Sequence, residues 1–176
     1  MKQLKIILAT IFVGLGFLSF MNETQVPAIG LEIGDKAPFI HTTLIQGEPF
    51  ELDSLQGKMV ILNFWASYDA PSRMNNFQLN QIHSSYQDTR FHKGQDLEVV
   101  SISLDRFHYP LQLAIQQDET AHFRHVCDFL GIDGPIARAF EVDAPVNLLI
   151  DGHGRILAKD TSLEKIEKSL AFLARY

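Results

Sequence analysis

Cysteine is nearly absent from this sequence of 176 residues, which contains Cys127 and no other. A single thiol excludes an intrachain disulfide, and it also excludes the C-x-x-C pair that serves redox dithiols and zinc sites. A lone cysteine is compatible with a reducing or an oxidising compartment, so it does not determine where the protein resides. Any dithiol chemistry therefore lies outside what this chain can do with its own residues.

An excess of positive charge is also lacking, since 15 Lys and Arg residues stand against 21 Asp and Glu residues, giving a formal net charge of −6. Without a basic run the chain has no electrostatic surface for nucleic acid. The histidines are scattered except for His122 and His125. Together with Cys127 they would still need a fourth group to hold a metal ion. We therefore predict no metal, no cofactor and no nucleic-acid partner.

An apolar run covers residues 6–21 and follows two basic residues, Lys2 and Lys5. This order is typical of an export signal. The run is shorter than the roughly 20 residues of a membrane-spanning helix, yet no clear cleavage site follows it. Residues 1–21 are thus predicted to be a signal peptide or a membrane anchor, 22–32 a linker and 33–176 one domain. The protein is predicted to be exported, and either periplasmic or tethered to the membrane through residues 6–21.

Hydrophobic periodicity predicts an α/β domain with a mixed central sheet. Two short β-rich segments around Pro49 predict a hairpin before the first buried strand. Helical spacing then runs from Pro71 to about Tyr86, and Asp151-Gly152-His153-Gly154 is typical of a hairpin turn near the end of the chain. The predicted buried strands are residues 59–64, 97–104 and 146–150, and further helices are predicted after Pro110, at 135–140 and after Ser162.

Four segments carry a family resemblance, and their order along the chain supports it. They are Gly34-Asp35-Lys36-Ala37-Pro38-Phe39, Asn63-Phe64-Trp65-Ala66, Val142-Asp143-Ala144-Pro145-Val146 and Leu149-Ile150-Asp151-Gly152-His153-Gly154. The chain resembles thioredoxin-like thiol-disulfide oxidoreductases of the exported or membrane-tethered kind, which are related to the alkyl hydroperoxide reductase and thiol-specific antioxidant group. The resemblance implies a thioredoxin-like fold with an added amino-terminal β-hairpin.

The resemblance also implies where the reactive residues should be, and there the sequence departs from the family. Asp69 stands at the position of the attacking cysteine and Ser72 at that of the resolving cysteine. Neither side chain can form a mixed disulfide. An aspartate directly before a helix is instead a good amino-terminal cap. We predict that Asp69 caps this helix and that Arg73 pairs with it.

The same resemblance implies a peptide-binding groove beside the turn. Its predicted lining residues are Trp65, Tyr68, Pro71, Ala144 and Pro145, and Pro145 is the candidate cis-proline. Two functions remain open. The first is a redox-inactive module of the cell envelope that binds a peptide or protein partner. The alternative is an active thiol oxidoreductase or peroxidase-like antioxidant enzyme that uses the single thiol of Cys127.

Overall fold

The centre of the fold is strand β3, Lys58–Trp65, in which every residue after Lys58 is buried. The computed structural model describes residues 27–174. Strand β5, Gly94–Ser103, pairs with β3 in parallel, and β7, Val146–Ile150, pairs with it antiparallel on the other side. Helix α1, Ala70–Tyr86, connects the parallel pair. This is the mixed sheet that the sequence predicts.

The other elements extend the sheet and cover it. Short strands β4 and β6 both pair with β5, while β8 pairs with β7 and forms the opposite edge. A separate antiparallel hairpin of β1 and β2 precedes β3, as predicted. These elements are β1 His41–Thr43, β2 Pro49–Glu51, β4 Arg90–Phe91, β6 Arg124–Val126, β8 Ile156–Asp160, α2 His108–Gln117, α3 Pro135–Ala139 and α4 Leu163–Leu173.

Alternate residues of β3 face opposite sides of the sheet, because side chains alternate along a strand. Val60, Leu62 and Phe64 pack in a core that includes the amino-terminal hairpin and α3. Met59 and Ile61 pack in a second core under α1 and α4. Both faces of β3 are therefore covered, which explains its continuous apolar sequence. The fold is thioredoxin-like, in agreement with the prediction.

The amino-terminal part of the described chain is folded onto the domain. Within the predicted linker, Gly30 N donates a hydrogen bond to Lys36 O (3.0 Å). Gly34 N donates to Ile156 O (2.8 Å), which fastens this segment to β8. The predicted signal peptide or anchor lies outside the described residues. Among residues 27–174 we find no helix that is long and apolar enough to cross a membrane.

Candidate functional site

The turn between β3 and α1 is organised by Asp69, which is the residue immediately before the helix. Its Oδ2 accepts hydrogen bonds from Ser72 N (2.8 Å) and from Ser72 Oγ (2.6 Å). The first bond satisfies one of the amide groups that have no partner within a helix. The prediction that Asp69 caps the helix is confirmed. The two positions that carry cysteines in the resembled family are thus joined by a hydrogen bond.

Substituting Asp69 by alanine should lower the stability of the domain. Loss of an N-cap side chain typically costs about 0.5–2 kcal/mol, and here it would also leave Ser72 Oγ without its acceptor. The free energy of unfolding can be measured by urea denaturation of Asp69→Ala. Ser162→Ala is a matched control, because Ser162 precedes α4 but its side chain makes no capping hydrogen bond. Equal stability of Asp69→Ala and the wild type would contradict the assignment.

Arg73 has a different partner from the predicted one. Its Nε and Nη2 atoms donate to the two carboxylate oxygens of Asp118, at 2.5 and 2.6 Å, so the prediction of an Asp69–Arg73 pair is wrong. Asp118 follows the last residue of α2, and its side chain is only 2% exposed. The hydrogen bond to Asp118 raises the pKa of Arg73. The pairing stabilises Asp118 more than it would stabilise Asp69, because a buried carboxylate has lost its hydration whereas Asp69 is half-exposed.

Asp118 is also bonded to polar side chains of α1. Asn76 Nδ2 donates to Asp118 Oδ2 (2.8 Å), and Asn80 Nδ2 donates to the backbone oxygen of Asp118 (2.8 Å). Asn63 of β3 reaches the same network through Asn76 Oδ1 (3.4 Å). This network fixes the first turns of α1 against the carboxyl end of α2. It therefore holds the turn at Asp69 in place.

A second buried carboxylate, Asp105, holds the turn from the side of β5. Its Oδ2 accepts from Ser67 N (2.9 Å) and from Ser103 Oγ (2.6 Å), and its Oδ1 accepts from Ser67 Oγ (2.5 Å). The sequence reasoning did not identify Asp105. A usable signal was present, because Asp105 directly follows the predicted buried strand of residues 97–104. The carboxyl ends of neighbouring parallel strands meet at one edge of the sheet, where α/β proteins bind ligands.

An open cleft of about 350 Å³ lies between the turn that follows β3 and the loop that follows β5. Tyr68 and Phe107 are 75% and 72% exposed, and they form its largest apolar walls. Arg106 lies at its margin and pairs with Asp133 (2.7 Å). The cleft is lined by Ser67, Tyr68, Asp105, Arg106, Phe107 and Pro110. We call this set the turn cleft. It has the apolar walls and few polar groups that are typical of a site for a side chain of a partner.

Trp65 does not line a groove, and that part of the prediction is wrong. Its side chain is fully buried, and it belongs to one apolar cluster with Leu111, Ala114 and Ile115 of α2. The physical reason is the alternation of side chains along β3, which places residues 59, 61, 63 and 65 on the helix-covered face. A substitution at Trp65 would disturb the core rather than a binding surface.

Pro145 lies beside the turn, but its peptide bond is not cis. Val146 is the first residue of β7 and pairs with Phe64, so the preceding Pro145 is next to the end of β3. The described residues contain no cis peptide bond, and the cis-proline prediction is wrong. The two isomers of a proline peptide differ by only about 0.5–1 kcal/mol, so sequence position alone does not fix the choice.

The remaining predicted groove residues are accessible to a partner. Pro71 in the first turn of α1 and Ala144 before β7 are exposed, and Pro145 is half-buried. Tyr68 belongs to the turn cleft. Their role in binding stays a prediction.

Cys127 directly follows β6 and is half-buried. Its thiol donates to Asp105 O (3.5 Å), and the side chain packs on the cluster that contains Trp65. Burial raises the pKa of the Cys127 thiol. A raised pKa leaves less of the reactive thiolate at neutral pH.

The histidines near Cys127 take part in packing. His125 is buried, and its Nε2 atom hydrogen-bonds to Thr120 O (2.7 Å). Burial lowers the pKa of His125. The rings of His122 and His83 lie side by side, with 5.3 Å between their centroids and a tilt of 45° between their planes. Across residues 27–174, no three or more His, Cys, Asp and Glu side chains are grouped so that they could hold a metal ion.

Comparison with known proteins agrees with this geometry. Residues 33–159 match the AhpC/TSA family. The thiol-disulfide oxidoreductase ResA of Halalkalibacterium halodurans is 28% identical over 164 residues, covering 88% of this chain and 82% of the relative. ResA of Bacillus thuringiensis is 25% identical over 146 residues, covering 80% and 78%.

Comparison with a solved structure also indicates a thiol-disulfide oxidoreductase fold. A thiol-disulfide oxidoreductase from Bacteroides fragilis superposes with a TM-score of 0.68 at 27% identity, covering 79% of this chain and 99% of that one. The family match extends over most of the sequence and includes the turn at Asp69. The chain therefore belongs to the AhpC/TSA family and, within it, to the thioredoxin-like thiol-disulfide oxidoreductases.

Proposed function

We propose that this protein is an exported member of its family that lacks dithiol–disulfide exchange and binds a peptide or protein partner of the cell envelope. One observation carries the proposal. The two side chains at the redox positions, Asp69 and Ser72, are hydrogen-bonded to each other, and Asp69 caps the helix that contains Ser72. No sulfur is present there to attack a disulfide, and the aspartate has a structural task instead.

The turn nevertheless keeps an accessible surface, and this supports binding. Tyr68 and Phe107 are large, exposed and apolar, and they line the same cleft. Neighbouring exposed apolar side chains of this kind are typical of an interaction site. The loops that carry them are fixed by Asp105 through Ser67. A preformed cleft loses little conformational entropy on binding. The partner group that fits is an apolar or aromatic side chain of an extended segment.

The competing function, a redox enzyme that uses Cys127, has less support. Burial raises the pKa of this thiol, and peroxidatic or exchanging cysteines need the thiolate. The thiol also has no second cysteine to resolve a mixed disulfide. Such an enzyme would need an external thiol at each turnover.

The test is peptide selection on the immobilised chain, combined with an insulin-reduction assay. We expect the selection to yield peptides from a displayed random library that bind the wild type. Their affinity should fall at least about tenfold for Tyr68→Ser or Phe107→Ser, because truncating an anchor side chain in an interface costs more than about 1.4 kcal/mol. Phe39→Ser is the matched control, because Phe39 is 61% exposed and lies outside the turn cleft.

Two results would contradict the proposal. If the selected peptides bind Tyr68→Ser and Phe107→Ser as tightly as the wild type, the turn cleft is not their binding site. Insulin or peroxide turnover by the wild type that disappears in Cys127→Ser would establish the competing redox function. Both substitutions in the cleft affect exposed side chains, so each variant should retain the unfolding midpoint of the wild type.

A further inference from the structure

Three exposed apolar side chains lie where the described chain enters the domain. Ile29, Ile33 and Phe39 are 55%, 72% and 61% exposed. Lys36 connects them, because Ile29 forms a β-bridge with Lys36 and the Lys36 Nζ atom lies 5.0 Å from the centre of the Phe39 ring. Ile33 belongs to the turn between Gly30 and Lys36, whose ends are hydrogen-bonded (3.0 Å). We call Ile29, Ile33 and Phe39 the entry patch.

The entry patch and the Asp69 turn are at opposite ends of the sheet. The entry segment is fastened to the β7–β8 hairpin, since Ala37 N donates to Gly154 O (2.9 Å). That hairpin follows Ile150, which pairs with Val60 near the beginning of β3. The Asp69 turn comes after the end of β3, a strand of 8 residues. A strand of this length spans about 26 Å at ~3.3 Å per residue.

The length of chain before the entry patch limits how far it can lie from the apolar run of residues 6–21. Residues 22–26 separate that run from Pro27, the first described residue. Even a fully extended chain covers at most about 3.6 Å per residue, so the six steps from residue 21 to residue 27 reach no further than about 22 Å. If residues 6–21 lie in a bilayer, the entry patch is close to its surface.

The charges around the entry patch do not favour attraction to anionic lipid. Lys36 is paired with Asp53 (3.4 Å), and Glu32 is exposed next to Ile33. Apolar side chains can instead enter the headgroup boundary, and a lysine beside them can extend its charged end into water. The contact should therefore depend little on ionic strength.

We propose that the entry patch rests on the surface of the lipid bilayer and holds the domain so that the Asp69 turn points away from the membrane. This inference relies on residues 6–21 acting as an anchor, and it does not depend on which partner binds the turn cleft. Docking restricts the orientation of the domain. The turn cleft is then presented to partners on the side facing away from the bilayer.

Site-directed fluorescence on the full chain in vesicles of phosphatidylethanolamine and phosphatidylglycerol can test this. Cys127→Ser provides a background without thiols, and Glu32→Cys places a label beside the entry patch without removing any of its three side chains. Ile132→Cys places a control label near Arg106 at the other end of the sheet, because the turn that contains Ile132 adjoins Arg106. The quencher is a nitroxide attached to the lipid headgroup.

We expect the label at position 32 to lose at least about half of its emission, because docked apolar side chains sit ~5–10 Å into the interface. This quenching should be the same at low and at high salt, and the label at position 132 should be nearly unaffected. The combined variant Ile29→Ser, Ile33→Ser and Phe39→Ser should lose most of the quenching at position 32. Phe107→Ser with Tyr109→Ser is the matched control, with two side chains that are 72% and 74% exposed at the other end of the sheet, and it should keep the quenching.

Several results would overturn the proposal. Equal quenching of both labels would mean that the domain tumbles freely on its linker. Quenching at position 32 that survives in the triple-serine variant would mean that the tether alone brings the label near the lipid. If the chain does not float with the vesicles, residues 6–21 do not act as an anchor, and the docking proposal fails. Concentration-dependent association that is lost in the triple-serine variant would assign the patch to a second copy of the chain.

Discussion

Replacing Asp69 and Ser72 together by cysteine should produce a chain that catalyses the reduction of insulin disulfides by dithiothreitol, whereas the wild type should show no turnover. The two side chains already touch, with 2.6 Å between Asp69 Oδ2 and Ser72 Oγ. A thiolate at position 69 would accept the hydrogen bond that Ser72 N now donates to the carboxylate. The amino end of a helix lowers the pKa of a cysteine placed there. The scaffold therefore offers the electrostatic setting that thiol exchange requires.

The controls for this experiment are the two single variants, Asp69→Cys and Ser72→Cys, each combined with Cys127→Ser. A single thiol can form a mixed disulfide but has no partner to resolve it, so catalytic turnover should require both substitutions. If the double variant folds and remains inactive, the surroundings of the turn have changed beyond the two missing sulfur atoms.

Breaking the Arg73–Asp118 pair should cause the largest loss of stability among single substitutions in the network around the turn. Arg73→Ala leaves the carboxylate of Asp118, 2% exposed, without its cation. Removing one partner of a buried ion pair costs about 3–5 kcal/mol, a large share of the ~5–15 kcal/mol that stabilises a typical domain. We expect a clearly lower urea midpoint, and loss of the turn cleft as α1 separates from the carboxyl end of α2.

Two further variants make this result interpretable. Lys168→Ala removes the exposed Glu164–Lys168 pair (2.6 Å) and should change the stability by less than about 0.5 kcal/mol. Arg73→Leu combined with Asp118→Asn removes both charges. Its cost should be smaller than the sum of the two single costs, because no uncompensated charge is left in the interior. Additive costs would mean that Arg73 and Asp118 act independently.

The local part of the candidate site followed from the sequence. Asp69 and Ser72 are three residues apart, and their capping bond depends only on the helix that follows. The same holds for the ends of α1, for the buried strands and for the β7–β8 hairpin, all of which the sequence predicts within a few residues. At α4 the start is predicted correctly, and just before the helix Asp160 Oδ1 accepts a hydrogen bond from Ser162 N (2.8 Å).

The tertiary structure decided which residues meet across the fold. Arg73 finds Asp118 at a separation of 45 residues, and Ser67 finds Asp105 at a separation of 38. A local sequence pattern does not reveal contacts between residues so far apart along the chain, because these contacts result from how β3, β5 and α2 pack together. The direction of Trp65 and the walls of the turn cleft depend on the same packing. By itself the sequence determined a thioredoxin-like chain without redox sulfur at its turn, since fold periodicity and residue identity are local properties. Which surface that turn still presents depends on contacts between distant segments, and only the tertiary structure contains those.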